Sequence, residues 1–155
     1  MEDATIIQEI SSHISKTVIN PDCNLSRQRL GEIVFTDHEK LQLLNNIVHH
    51  HVRADIAAWI ERHHDSKSLW IETAILYQSG LDKMVNEIWE VTAPTELRIN
   101  RVMHRNSMTC DQVQNRIDSQ RNSAPKDTRN HIIIANDGVT PLLPRIEALL
   151  ASIDL

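Results

Sequence analysis

The sequence predicts an α/β fold in which helices connect the strands of a parallel sheet. Three short apolar segments, 69–76, 87–91 and 131–135, are bounded by polar residues, as buried strands are. Elsewhere the apolar residues recur every three or four positions, which is the helical period. Strands that alternate with helices are usually joined by crossover connections, so we expect these strands to run parallel.

The first third of the chain predicts three helices. The first carries four isoleucines between positions 6 and 14, and the second is capped by Ser26. Thr36 and Glu39 have the spacing of a capping box and open the third. Its apolar positions continue at three- and four-residue steps: Leu41, Leu44, Val48, Val52, Ile56, Trp59 and Ile60. This spacing predicts one long amphipathic helix.

Three more helices follow the second and third predicted strands. Pro94 opens one at its first turn, and Thr109 with Gln112 three residues later opens the next. Residues 136–138 read Asn-Asp-Gly, which is a turn signal, and Pro141 then starts a final helix. Its predicted inward positions are Leu142, Leu143, Ile146, Leu149 and Leu150.

Composition limits the classes of function. The formal net charge is −5 and the basic residues are dispersed among acidic ones, so a nucleic-acid partner is not expected. No apolar stretch has the length of a membrane span and no signal peptide is visible, which predicts a cytoplasmic protein without a membrane partner. Cys23 and Cys110 are far apart, which favours reduced thiols over a disulfide.

Several blocks of sequence follow one another in a defined order and spacing along almost the whole chain. They are 25–30, 33–35, 47–49, 74–81, 91–94, Arg98, Arg101, Arg105, Arg116, Gln120, Lys126 and 136–138. Together these blocks resemble the dephospho-CoA kinase family: its CoA-binding region, its third and fourth strands, its lid and the turn after its last strand.

The resemblance implies a P-loop nucleotide-kinase fold with helical CoA-binding and lid regions. It implies transfer of the γ-phosphoryl group of ATP, with Mg²⁺, to the ribose 3′-hydroxyl of dephospho-CoA, the last step of coenzyme A biosynthesis. In such reactions the protein chiefly positions phosphates and stabilises charge. On this pattern the chain is one kinase domain: a helical substrate region (1–66), core strands (67–93), a lid (94–129), and a last strand and helix (130–155).

The resemblance assigns the nucleotide site to the second half of the chain. Arg105 matches a lid arginine expected to act in catalysis, and Arg101 and Arg116 match others that close over the ATP phosphates. Asn136 and Gly138 match the turn beside the adenine. Solvated helix arginines and a plain strand-to-helix turn explain the same residues without a ligand.

Substrate and metal contacts are implied elsewhere. His49 matches the histidine of the family's His-Pro step, and Arg53 shares its helix face, so both are expected to bind the substrate. A packed, hydrogen-bonded histidine is the alternative. Glu72 precedes the third-strand motif and is expected to hold Mg²⁺ through water, or else to be a carboxylate satisfied by backbone or lysine.

The sequence departs from the family in one large respect. It contains no G-x-x-x-x-G-K-S/T, and Gly31, Gly80 and Gly138 are dispersed. The family's first two strands, its P-loop and its catalytic aspartate are therefore expected to be absent, leaving an N-terminally truncated, inactive chain. His50 and Gln78 replace the family's usual proline and glutamate. Without the first strand we expect low stability, homo-oligomers through exposed sheet edges, or direct pairing of the third and fourth strands.

Two other classes of function stay open. A non-catalytic module derived from the family would bind CoA or nucleotides without turnover. A metal-binding protein would use the histidines, but neighbouring helix residues point to different faces. The histidines concerned are His49, His50, His51, His63 and His64.

Overall fold

The structure is a computed structural model that describes residues 3–120 and 131–153. The chain divides into two compact units, Met1–Leu69 and Trp70–Leu155. Its α/β composition agrees with the predicted fold class. In the described part, no helix is both long enough and apolar enough to cross a membrane. Both cysteines are exposed and unpaired, as expected.

The first unit is helical. Helices α1 (Ala4–His13), α2 (Arg27–Val34) and α3 (His38–Arg62) pack around an apolar core. A short 3₁₀ turn, Lys16–Val18, follows α1. The buried core residues are Ile10, Ile14, Val18, Leu30, Val34 and Ile47. A side-chain hydrogen bond joins α1 to α3, since His51 Nε2 lies 2.6 Å from Glu9 Oε2.

The caps of these helices follow the expected chemistry with one correction. Ser26 caps α2 as predicted, since its side chain accepts a hydrogen bond from the N–H of Arg29. The predicted cap of α3 at Thr36 is wrong, because Asp37 occupies that position and accepts from the N–H of Lys40 at 3.1 Å. The Thr36 hydroxyl instead donates back to the carbonyl of Glu32 at 3.1 Å, so it completes the end of α2.

The second unit contains a two-stranded parallel sheet. Strand β1 (Ile88–Thr92) pairs with β2 (His131–Ala135), with Ile88 opposite His131 and Thr92 opposite Ala135. The parallel arrangement and the position of β2 were predicted, and β1 lies one residue later than expected. Across the two strands, His131 Nε2 lies 2.9 Å from Glu90 Oε2, and only 6% of the His131 side chain is exposed.

The strand predicted at 69–76 is wrong. Residues 69–75 have no regular structure and lead into a short helix, α4 (Leu76–Ser79), followed by a 3₁₀ turn, Leu81–Met84. Within the described residues β1 pairs only with β2, so the segment has no ladder that could satisfy its backbone as a strand. Its link to the sheet is a ring contact, in which Trp70 meets Trp89 edge to face at 4.9 Å.

Three helices complete the second unit: α5 (Thr95–Asn106), α6 (Cys110–Gln120) and α7 (Leu142–Ser152). The predicted capping box of α6 is confirmed, because Thr109 and Gln112 exchange hydrogen bonds of 3.0 and 3.4 Å. In α7, Leu149 is buried as expected. The inward position predicted for Leu143 is wrong, since this side chain is largely exposed.

The sheet leaves apolar side chains open to solvent. Val91 is 64% exposed and Ile133 is 60% exposed. They lie on opposite faces, because Val91 is in register with Ile134, whereas Ile133 is in register with Glu90. Exposed apolar side chains on both faces are unusual for a parallel sheet.

Candidate functional site

An arginine-rich cleft lies between α5 and α6. It encloses about 380 Å³ and is open to solvent on one side. Its lining combines four guanidinium groups with three apolar side chains. The residues are Arg98, Arg101, Val102, Arg105, Asn106, Val113, Arg116 and Ile117.

Helical spacing explains why these side chains meet. On α5, Arg98, Arg101 and Arg105 recur at steps of three and four, so they share one face of the helix. Ser107 then adopts a left-handed backbone, with φ of 52°, and ends α5 before the chain turns into α6. Val113 on α6 is buried, and Arg116 lies one turn further along the same helix.

The positive charges of Arg98 and Arg105 are not balanced by the side chains that these arginines contact. Arg98 donates to the hydroxyl of Thr95 at 3.3 Å, and Arg105 donates from Nε to the side-chain oxygen of Asn106 at 3.1 Å. Both acceptors are neutral. In the part of the chain that the structure describes, neither arginine forms an ion pair. Several guanidinium groups around one opening create a positive potential suited to phosphate oxygens.

The turn after β2 lies beside this cleft. Arg101 donates from Nη1 to the carbonyl oxygen of Asn136 and from Nη2 to its side-chain oxygen, each at 3.2 Å. The N–H of Asn136 donates to the carbonyl of Thr92 at 2.7 Å, which extends the pairing of β1 and β2 by one bond. The structure therefore brings Arg101, Asn136 and Gly138 together, and their assignment to a nucleotide site stays a prediction.

The conformation of the turn at 136–140 is set by a glycine with positive φ and by hydrogen bonds to Asp137. Gly138 has φ of +83°, a conformation that residues with a side chain rarely adopt, and a Cβ there would lie 3.9 Å from Arg101 Nη2. Asp137 accepts hydrogen bonds from the N–H of Thr140 at 2.8 Å and of Val139 at 2.9 Å. These bonds, that of Thr140 first, hold the pKa of Asp137 below its ordinary value of 3.8.

The remaining predicted site residues are not among the residues that line the cleft. Glu72 is exposed within the irregular segment. His49 and Arg53 lie in the first unit, one turn apart on α3, and both are partly buried. A second cleft of about 420 Å³ in that unit is formed by α1 and residues 19–24 and includes neither of them. Lys126 and the side chain of Gln120 are outside the described residues.

The described residues contain no cluster of metal-ligating side chains. Among them, no three histidine, cysteine, aspartate or glutamate side chains come close enough to hold a metal ion. The alternative of a metal-binding protein built on its histidines therefore has no support in the described part of the chain. A Mg²⁺ ion held by Glu72 through water needs no such cluster, so that expectation stays a prediction.

Sequence reasoning left one arginine of the cleft without a role. Arg98 was part of the resemblance but not of the predicted site, although the structure places it in the cleft. Its spacing from Arg101 and Arg105 on one helix face was the signal that could have identified it. Asn106 and Val113 carry no comparable pattern, because their positions depend on how α5 meets α6.

The second unit also contains a buried tyrosine hydroxyl group. The Tyr77 oxygen on α4 is buried and has no hydrogen-bond partner among the described residues. Burial, and then the charges of Glu90 and Asp82, raise the pKa of this phenol above its ordinary value of 10.0. This environment favours the neutral phenol over the phenolate.

Comparisons with known sequences give consistent results. The family model described as dephospho-CoA kinase matches residues 1–141. The dephospho-CoA kinase of Dehalococcoides mccartyi is 33% identical over 139 residues, which are 88% of this chain and 70% of that protein. The dephospho-CoA kinase of Bacteroides fragilis strain YCH46 is 31% identical over 149 residues, which are 96% of this chain and 72% of that protein.

Two solved structures are similar in fold. The crystal structure of TT1252 from Thermus thermophilus aligns with a TM-score of 0.73 at 24% identity, covering 97% of this chain and 82% of the other. The dephospho-CoA kinase from Campylobacter jejuni aligns with a TM-score of 0.61 at 24% identity, covering 96% and 75%. At this level of identity the likeness concerns the fold.

Proposed function

Because the chain belongs to the dephospho-CoA kinase family, we propose that it serves ATP-dependent phosphorylation of the 3′-hydroxyl of dephospho-CoA in the cytoplasm. The observation that carries the proposal is the arginine cleft beside the turn at 136–138. In this proposal the cleft binds the phosphates of ATP and the turn lies next to its base.

The chemistry of phosphoryl transfer supports this use of the cleft. Negative charge shifts among the phosphate oxygens during the reaction, and fixed cations around them stabilise the transition state. A guanidinium group is planar and permanently charged, so it can hold two oxygens at once. Arg105 is the residue that we assign to catalysis, with Arg98 and Arg116 as further phosphate contacts.

The turn and the first unit are assigned to the two substrates separately. Gly138 presents backbone without a side chain, which suits close approach of a planar base, and Asn136 lies in the same turn. Dephospho-CoA is assigned to His49 and Arg53, which share one face of α3. Glu72 is the residue that would hold Mg²⁺ through water, and the ion would neutralise charge on the phosphates.

The 155 residues contain no phosphate-binding G-x-x-x-x-G-K-S/T motif. In P-loop enzymes that motif cradles the β- and γ-phosphates. We therefore expect a polypeptide of these residues alone to bind nucleotide without transferring phosphate. The same absence favours a second candidate, a non-catalytic module that holds CoA-like ligands.

Exposed sheet surface supports self-association. Val91 and Ile133 each expose more than half of their side chain, and two-stranded sheets are rarely stable alone. We assign these faces to contacts between copies of the chain, which sedimentation at several concentrations would measure. A monomer at every concentration would contradict this assignment.

The experiment for the main proposal combines binding with turnover. ATP and dephospho-CoA are titrated separately into the chain by calorimetry, and ADP release is then followed with both present and Mg²⁺ added. Arg105→Ala should weaken ATP binding about tenfold or more, because a charge-assisted hydrogen bond is lost. Arg145→Ala is the matched control, since Arg145 lies exposed on α7 and not in the cleft.

Each outcome distinguishes between the candidates. ATP binding that depends on Arg105, without ADP release, supports the kinase-derived site described above. Binding of dephospho-CoA with no measurable ATP binding favours the non-catalytic module. ADP release by the 155-residue chain would contradict our account of phosphate binding.

A further inference from the structure

Arg101 differs from Arg98 and Arg105 in its partner. Its guanidinium group makes two hydrogen bonds to a single residue, Asn136, which lies 35 positions away in the sequence. Resting on the proposed function, we propose that Arg101 is a positioning residue. It fastens α5 to the turn after β2 and thereby orients Arg98 and Arg105 toward the phosphates.

The geometry of α5 shows how the two hydrogen bonds of Arg101 can influence the directions of Arg98 and Arg105. Arg98 lies three residues before Arg101 and Arg105 lies four residues after it, so they stand about one turn to either side on the same face. Two hydrogen bonds from one planar group restrict the rotation of the helix about its axis and its distance from the turn. Restricting α5 in this way also restricts the directions in which Arg98 and Arg105 leave the helix.

The anchor at the other end is well defined. Asn136 is bonded to Thr92 at 2.7 Å and so continues the pairing of β1 and β2. Asp137 closes the next residues through bonds to Val139 and Thr140, including one of 2.8 Å from the Thr140 hydroxyl. Arg101 therefore ties the helix to the hydrogen-bonded end of the sheet.

The two possible roles of Arg101 respond differently to substitution. A residue that only attracts phosphate can be replaced by lysine with part of its effect kept, because lysine retains the charge. A residue that spans two acceptors cannot, because an ammonium group lacks the planar fork. The partner is equally informative: Asn136 carries no charge, yet its truncation should weaken phosphate binding if it holds Arg101.

The functional test is a double-mutant cycle read with inorganic tripolyphosphate, which has no base to contact the turn. Arg101→Lys and Asn136→Ala should each weaken tripolyphosphate binding by about fivefold, and the double variant should bind no more weakly than either. A direct phosphate contact predicts that Asn136→Ala has no effect and that Arg101→Lys acts alone. That result would overturn the inference.

A ligand-free measurement separates this inference from the proposed function. Hydrogen exchange of the backbone amides should accelerate in α5 and at 136–140 together, in both variants, while α7 is unchanged. Unchanged exchange would overturn the positioning role whether or not the chain binds phosphate. If the unaltered chain binds neither ATP nor tripolyphosphate while exchange is coupled as expected, the proposed function fails and the fastening of α5 to the turn is retained.

Discussion

Truncation of Ile10 tests the core on which the first unit depends. Ile10 is fully buried among the apolar side chains of α1, α2 and α3. Ile10→Ala removes three methylene-sized groups at about 0.8 kcal/mol each, or about 2.4 kcal/mol, before any cavity cost. With the cavity included, we expect the free energy of unfolding to fall by roughly 3–4 kcal/mol.

Ile133→Ala supplies the matched control, because it is the same chemical change at a side chain that is 60% exposed. Only about two fifths of the transfer term applies there, so the expected loss is about 1 kcal/mol. Urea unfolding followed by far-ultraviolet circular dichroism measures both variants, with the protein dilute enough to suppress self-association. Equal losses at the two positions would refute the burial assignments on which the argument rests.

Three further predictions concern single side chains. Tyr77 is the chain's one tyrosine, so its phenolate absorbance should rise at a pH above 10.0 in the folded protein and nearer 10.0 in denaturant; a folded midpoint at or below that value contradicts its burial. The lowered pKa of Asp137 means that its contribution to stability is present above 3.8 and is lost as pH falls through the folded value. Asp137→Asn should therefore be less stable than the unaltered chain near neutral pH and equal to it in acid, and a gap that persists at low pH contradicts this cause. Asp37→Ala should lower the thermal midpoint and helicity, whereas Asp37→Asn, which keeps a cap acceptor, should not; equal effects of the two would show that the cap is not what matters.

Local patterns predicted the helices well because their determinants are local. The capping box of Thr109 and Gln112 and the apolar repeat of α3 need no information from distant residues. The error at Thr36 is also local in scale, since two neighbouring side chains can both cap and the structure uses Asp37. Such competition shifts a helix boundary by one residue without changing the fold.

The strand expected at 69–76 failed for a different reason. An apolar run becomes a strand only when another strand satisfies its backbone, and that partner is a tertiary feature. The same limit applies to the site. The repeat of arginines on α5 was visible in the sequence, whereas the bond from Arg101 to Asn136 spans 35 residues and appears only in the folded chain.

The contact between Glu90 and His131 has a consequence for how β1 and β2 find their alignment. Hydrogen bonds of a parallel ladder repeat at every register, so the backbone alone cannot distinguish one alignment from another. Sliding β2 by one position would turn His131 to the opposite face and separate it from Glu90. In a sheet of two described strands, the proximity of these two side chains therefore favours one alignment, and that alignment sets where α5 and the turn after β2 begin.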